Sequence, residues 1–179
     1  KRRIVLLGKS DLADSEETEK WQRYFSRKGD KTLAIDARSG ENINRLFSIL
    51  DDVQREKNQQ RQMNRSIRMM VVGVPNVGKS SLINRLIGKK SAKTGDKAGV
   101  TRGKQWVTLK NGMQLLDTPG ILWPKFEDQR VGLYLAFCGS IRDEILDTQD
   151  LAFELIKVLE KRYPESLLNR YKLDEIQEE

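Results

Sequence analysis

The 179-residue chain carries 33 Lys and Arg against 26 Asp and Glu, a net charge of +7, with 37% hydrophobic and 33% charged residues; it has room for one domain of ordinary size and part of a second. No apolar run approaches the ~18 residues of a membrane span. One cysteine (Cys138) and no histidine exclude an internal disulfide, a cysteine metal cluster and an imidazole base from within these residues, and a reducing cytoplasm is the expected compartment.

The first expected element is a short apolar strand over Arg3–Leu7, ending in the turn Gly8-Lys9-Ser10-Asp11. Its apolar part is too short for the core of a signal peptide, and Lys9 and Asp11 follow at once. Residues Asp14 to Lys28 predict a helix whose Trp21, Tyr24 and Phe25, at i, i+3, i+4 spacing, are expected to pack into the core. A second strand, Lys31–Asp36, runs into Ala37-Arg38-Ser39-Gly40. From Asn42 a helix presents Ile43, Leu46, Phe47, Leu50 and Val53 on one face, and the polar stretch Gln54–Arg61 reads as its extension toward a connector.

Ile67–Val72 is apolar enough for a central strand. After a further helix, the polar, glycine-bearing Lys89–Gly99 reads as a loop. Strands near Lys104–Leu109 and Gln114–Leu116 are joined by the hairpin signal Asn111-Gly112. Val131, Leu135 and Cys138 suggest a helix that buries its thiol among Leu133, Leu135, Ala136 and Phe137. Leu151, Leu155, Val158 and Leu159 mark a longer one over Thr148–Arg162. Pro164 breaks it, and Leu167, Leu168 and Tyr171 begin another turn or two. Strand and helix alternate through the first two thirds of the chain, so an α/β fold with a mostly parallel sheet is expected.

Gly73-Val74-Pro75-Asn76-Val77-Gly78-Lys79-Ser80 matches the phosphate-binding loop G-x-x-x-x-G-K-[ST], directly after a strand and opening a helix. Backbone N–H groups of such a loop, here from Asn76 and Val77 through Gly78, Lys79, Ser80 and Ser81, surround phosphate oxygens at a helix N-terminus. Lys79 is placed to reach the β- and γ-phosphates and Ser80 to ligate Mg²⁺. Asp117-Thr118-Pro119-Gly120 follows a strand downstream, where an acid can hold Mg²⁺ and the Gly120 N–H can meet the γ-phosphate. Between them, Thr101 in a basic loop can close onto Mg²⁺ when a γ-phosphate is present, with Thr94 as the competing candidate. Lys79, Thr101 and Gly120 are thus the expected catalytic residues. In the first turn, Asp11 offers two oxygens to the N1–H and N2–H of guanine, a pattern adenine lacks, while the stem of Lys9 lies across the base. The backbone of Ala37 follows where an N–H can meet guanine O6.

Together Gly8–Asp11, Ala37–Gly40, Gly73–Ser80, Thr101 and Asp117–Gly120 resemble the five GTPase motifs in the order four, five, one, two, three, the mark of circularly permuted GTPases. Ile121-Leu122-Trp123-Pro124-Lys125-Phe126, then Val131-Gly132-Leu133 and Ala136, is similar to the YlqF/RbgA group, which assists late assembly of the large ribosomal subunit. Permuted GTPases with zinc modules fit less well, since those need several cysteines. The resemblance implies a Ras-like P-loop fold of three layers over residues 1–140 and, over 141–179, the start of a helical RNA-binding domain. It implies GTP or GDP and Mg²⁺ as ligands, pre-ribosomal RNA as partner, and a monomer without membrane attachment. Two departures stand out: Gly8 occupies the place of the family's usual Asn, and Asp36 that of its usual Ser.

Ile121 stands where Ras-like enzymes carry the glutamine that orients the attacking water, so intrinsic hydrolysis is expected to be slow. The resemblance implies a histidine ahead of residue 1 as the substitute. Asn76 is similar to the asparagine by which several such GTPases hold K⁺ beside the phosphates, although it can equally serve to shape the loop. Seven cations (Arg85, Lys89, Lys90, Lys93, Lys97, Arg102, Lys104) against the single acid Asp96 make the Arg85–Lys104 segment the expected contact for a polyanion such as rRNA. A nucleotide-gated RNA-binding scaffold with negligible hydrolysis is the second reading.

Overall fold

The computed structural model describes residues 2–61, 66–88, 105–109, 111–122, 126–141 and 147–175. Its strands are β1 (Ile4–Gly8), β2 (Lys31–Ile35), β3 (Arg68–Met70), β4 (Gln105–Thr108) and β5 (Gln114–Asp117). Its helices are α1 (Ser15–Arg27), α2 (Ile43–Arg61), α3 (Lys79–Ile87), α4 (Gln129–Phe137), α5 (Thr148–Arg162) and α6 (Pro164–Tyr171). The chain divides into two compact units, Lys1–Leu122 and Trp123–Glu179.

In the first unit β1 and β2 pair in parallel, from Ile4 opposite Lys31 to Gly8 opposite Ile35. A second sheet has the order β3-β5-β4, with β3 and β5 parallel and β4 and β5 antiparallel. The Asn111-Gly112 hairpin closes as expected: the Leu109 N–H donates to Met113 O (2.8 Å) and Gly112 takes φ +78°, a conformation that favours glycine. The mostly parallel α/β reading holds. The central place expected for β3 does not, since β3 is the outer strand of its sheet and its free edge borders a cleft shared with β1. An apolar strand reports burial of its faces, not pairing of both edges.

One core lies under both sheets. Leu33 and Ile35 of β2, Ile43, Leu46 and Leu50 of α2, and Leu82, Ile83 and Leu86 of α3 meet Ile67, Val107, Leu109, Met113 and Leu115. Each such side chain, fully buried, contributes about 1.5–3 kcal/mol. The face expected on α2 is therefore the real one, with Phe47 and Val53 half-buried at its margin, and the helix runs on through its polar extension to Arg61. Helix α1 starts where the Asp14 carboxylate accepts the Glu17 N–H at 2.9 Å.

Two packing expectations are corrected. Trp21 and Tyr24 are about half exposed and lie against each other and Phe25, with ring centroids 5.2–5.9 Å apart, while Lys28 Nζ sits 4.3 Å from the Tyr24 ring. Helical spacing put these rings on one face, but it does not say how much of that face a neighbour covers; α1 packs on β2 and β1, and of the three rings Phe25 alone is half-buried. Cys138 is exposed, not a core thiol. Helix α4 ends at Phe137 with Cys138 as its C-cap, so residue 138 no longer follows the helical period that predicted its burial.

In the second unit α5 packs against both α4 and α6. Asp147 caps α5 by accepting the N–H groups of Gln149 and Asp150 at 2.9 and 3.2 Å, and Pro164 occupies the first turn of α6, where its missing N–H costs nothing.

Candidate functional site

The site begins at the end of β1. Lys9 adopts a left-handed backbone, φ +57° and ψ +40°, and opens a single 3₁₀ turn over Ser10–Leu12. The turn leaves Lys9 half-buried and brings Asp11 to the surface at the rim of the cleft. Ser10 Oγ, not among the expected contacts, is buried without a hydrogen-bond partner among the described residues. A Cβ added at Gly8 would lie 2.9 Å from the Val77 carbonyl oxygen of the phosphate-binding loop. The loss of an Asn at this position thus has a steric counterpart, since a loop carbonyl stands where that side chain would start.

After β2 the chain turns sharply. Asp36 is 5% exposed, and its carboxylate accepts the N–H groups of Arg38 and Ser39, each at 2.8 Å. The Ser39 side-chain hydroxyl, followed by these two N–H bonds, holds its pKa below the usual carboxylate range. Asp in place of the family's Ser therefore shapes this turn, and Ala37 is presented to the cleft between β2 and the bonded pair.

The P-loop runs from β3 into α3. Asn76 takes φ +56° and Gly78 φ +101°, and Gly78 caps α3, whose first residue is Lys79. Lys79 is 9% exposed; its ammonium donates to the carbonyls of Gly73 (3.0 Å) and Val74 (2.8 Å). Burial lowers its pKa, while the nearby Asp117 opposes the shift. At the end of β5 Asp117 is 3% exposed, and its Oδ1 has no hydrogen-bond partner among the described residues. Burial raises its pKa, and Lys79 and the Thr118 N–H pull it back. Thr118 Oγ1 anchors this corner by donating to Val71 O at 2.5 Å.

Gly120 lies directly on the P-loop: a Cβ there would be 2.6 Å from the Cα and N of Pro75. The Ile121 N–H donates to Gly73 O at 3.3 Å, and its side chain is 66% exposed. The first and third motifs therefore touch through backbone.

Gly8, Lys9, Asp11, Ala37, Asn76, Val77, Gly78, Lys79, Ser80, Ser81 and Gly120 line one cleft of about 1610 Å³, which continues along β1 and β3. Asp117 lies beside it, close enough to Lys79 for each to shift the other. Thr101 and the alternative Thr94, with the cations from Lys89 to Lys104, lie outside the described residues. No group of three acidic, cysteine or histidine side chains fit to hold a metal occurs among the described residues. The donor set nonetheless suits Mg²⁺, which binds through one or two protein oxygens plus phosphates: a buried carboxylate oxygen without a partner among the described residues lies near Lys79, the residue before the serine that ends the P-loop. Sequence reading treated Arg85 only as the first cation of a basic segment, whereas it reaches from α3 to the Ser39 carbonyl. Its signal was position, on the helix that the P-loop opens.

Residues 68–176 match the family model described as 50S ribosome-binding GTPase. Over 184 residues the chain is 49% identical to ribosome biogenesis GTPase A of Priestia megaterium, covering 100% of this chain and 64% of that protein. Over 158 residues it is 36% identical to the protein of the same name from Thermotoga maritima, covering 87% and 55%. Among solved structures, a GNP-bound YlqF from T. maritima superposes with TM-score 0.58 at 27% identity, covering 95% of this chain and 67% of that one. A GDP-bound YlqF does so with TM-score 0.57 at 30% identity, covering 88% and 59%. The chain thus spans just under two thirds of the length of the curated relatives it most extensively matches.

Proposed function

This chain belongs to the 50S ribosome-binding GTPases, in their YlqF (ribosome biogenesis GTPase A) branch, and we propose that it binds guanine nucleotides in the cleft, hydrolyses GTP there and serves assembly of the large ribosomal subunit. One observation carries the reading: the turn Gly8–Asp11, Ala37, the P-loop and Gly120, scattered over more than a hundred residues of sequence, line a single cleft. In this proposal Asp11 takes the N1–H and N2–H of guanine and Lys9 covers the base. Arg38 and Ser39 give their N–H groups to Asp36, so the N–H of Ala37 is the one directed to guanine O6.

Val77, Gly78, Lys79, Ser80 and Ser81 hold the phosphates. Lys79, now spanning two loop carbonyls, would exchange them for phosphate oxygens, a stronger charge-assisted pairing. Ser80 and Asp117 would hold Mg²⁺, with Thr101 added in the GTP state; the ion supplies charge neutralisation at the phosphates. Asn76 is a K⁺ ligand in the same proposal, and its left-handed backbone gives it a loop-shaping role at the same time. Gly120 senses the γ-phosphate. The division into a G domain over 1–140 and the start of a helical RNA-binding domain over 141–179 belongs to this reading, with α5 and α6 as its first elements, as do rRNA as partner, a monomeric state and action in the cytoplasm. Among the described residues no helix is long and apolar enough to cross a membrane.

Asp11→Asn in a nucleotide competition assay tests the base reading: preference for GTP over ATP should fall, and an unchanged preference refutes it. Turnover measured with and without large ribosomal subunits, in K⁺ and in Na⁺, tests the switch. A specific observation favours the second reading, a nucleotide-gated scaffold with negligible hydrolysis. The side chain at the water-positioning place, Ile121, neither donates nor accepts, and the chain holds no histidine. Absence of stimulation under every condition would select the scaffold over the hydrolysing switch.

A further inference from the structure

Arg85 lies in the last turn of α3, the helix whose first turn is the end of the P-loop. Its guanidinium leaves that helix and reaches the turn after β2, where Nη2 donates to the Ser39 carbonyl. The guanidinium also crowds Gly40: a Cβ built there would stand 2.2 Å from Arg85 Nη2 and 2.9 Å from its Cζ and Nε. Gly40 has φ +93°, so a glycine is required twice, for its backbone conformation and for the room it leaves. The same turn is pinned from within. Asp36 takes the N–H groups of Arg38 and Ser39, the Gly40 N–H donates to Asp36 O at 3.0 Å, and Asn42 Nδ2 donates to Ala34 O at 3.0 Å. Arg85 is the tie that comes from outside the turn, and it comes from the phosphate-binding helix.

We infer that Arg85 is a positioning residue for base selection, clamping the Ala37–Gly40 turn to α3 so that the Ala37 N–H is held at the height of the guanine 6-position whenever the phosphates fix α3. The inference rests on the guanine reading above and adds to it a residue outside all the nucleotide-binding motifs. The rigid, forked guanidinium suits the task, because it can bond the Ser39 carbonyl through one nitrogen while the rest of the fork stays against Gly40. A lysine could supply the bond but not the rigid fork.

The test uses the full chain and compares binding of GDP, 6-thio-GDP (a poor acceptor at position 6) and IDP (no 2-amino group). The wild type should prefer GDP over both. Arg85→Ala should shrink the preference over 6-thio-GDP by about three- to tenfold, the range of one lost hydrogen bond, and leave the preference over IDP, which reports on Asp11, unchanged. Arg85→Lys should recover part of the first preference. Gly40→Ala should lower the same 6-thio-GDP preference, with an added loss of stability from its φ of +93°, and adding Arg85→Ala to it should lower that preference no further, since both remove the same contact. Equal losses for all three nucleotides would mean a merely structural role and overturn the inference, as would an unchanged 6-thio-GDP ratio in a folded Arg85→Ala protein. If the wild type itself fails to distinguish the three, the guanine reading falls and the clamp with it.

Discussion

Asp117→Asn should stabilise the nucleotide-free protein while disabling its Mg²⁺-dependent behaviour. Asp117 is 3% exposed and one of its oxygens is buried without a partner among the described residues. An unsatisfied buried polar atom costs about 1–3 kcal/mol, and more if charged. Against that stands the attraction of Lys79, which Asn would forfeit, but burial outranks it as the cause of the shift in Asp117. Asn keeps a polar atom in that place and removes only its charge, so the net gain is no more than about 1 kcal/mol, or about 2–4 °C in Tm for a chain of this size.

The sign with pH follows from the raised pKa of Asp117. The stability it contributes in the protonated state is present below the ordinary value of 3.8 and is lost as pH rises through the higher folded-state value. The advantage of the Asn variant should therefore be full at pH 7.5 and shrink toward acid. Thermal or urea melts of both proteins at pH 7.5 and pH 5, without nucleotide or Mg²⁺, measure it, and acid effects common to both cancel in the difference. Adding GDP and Mg²⁺ should reverse the order, because only the carboxylate gains the ion. An Asn variant less stable than wild type at pH 7.5, or a difference that does not vary with pH, would refute the reasoning.

Gly8→Asn restores the family's usual residue yet should weaken GDP binding, because its Cβ would press on the Val77 carbonyl at 2.9 Å; titration with a fluorescent GDP analogue decides it, and tighter binding would refute the steric argument. Gly120→Ala should displace the third motif from Pro75, whose backbone lies 2.6 Å from the added carbon, and abolish GTP turnover while GDP affinity changes little, read by parallel turnover and binding assays. Met113→Ala, at a fully buried position between the β4–β5 hairpin and the core, should cost about 2–5 kcal/mol in urea unfolding. Cys138, exposed after α4, should react with a maleimide at one equivalent without denaturant, whereas a buried thiol would need unfolding first.

The P-loop was legible because its chemistry is local: a glycine-bearing loop between strand and helix specifies its own backbone, and Gly78, Lys79 and Ser80 fall where the motif demands. The α2 face and the Asn111-Gly112 hairpin were legible for the same reason, since period and turn chemistry act over a few residues. The burial of Trp21, Tyr24 and Cys138 was misread, because periodicity names a face without naming what covers it. Residues of the cleft were identified singly, but the sequence held no account of Gly8 as a close contact, and it read Arg85 as one cation among seven.

What the sequence determined alone is therefore the set of ligand-facing groups and their unusual order along the chain. Tertiary structure decided the rest: that the base turn comes up against the P-loop at Gly8, that Asp117 is buried with an oxygen unpaired among the described residues, and that Arg85 joins the phosphate helix to the turn after β2. Those contacts join residues 46 to 69 positions apart. No local propensity encodes them; they exist only once the core beneath both sheets has brought the ends of β1, β2 and α3 together.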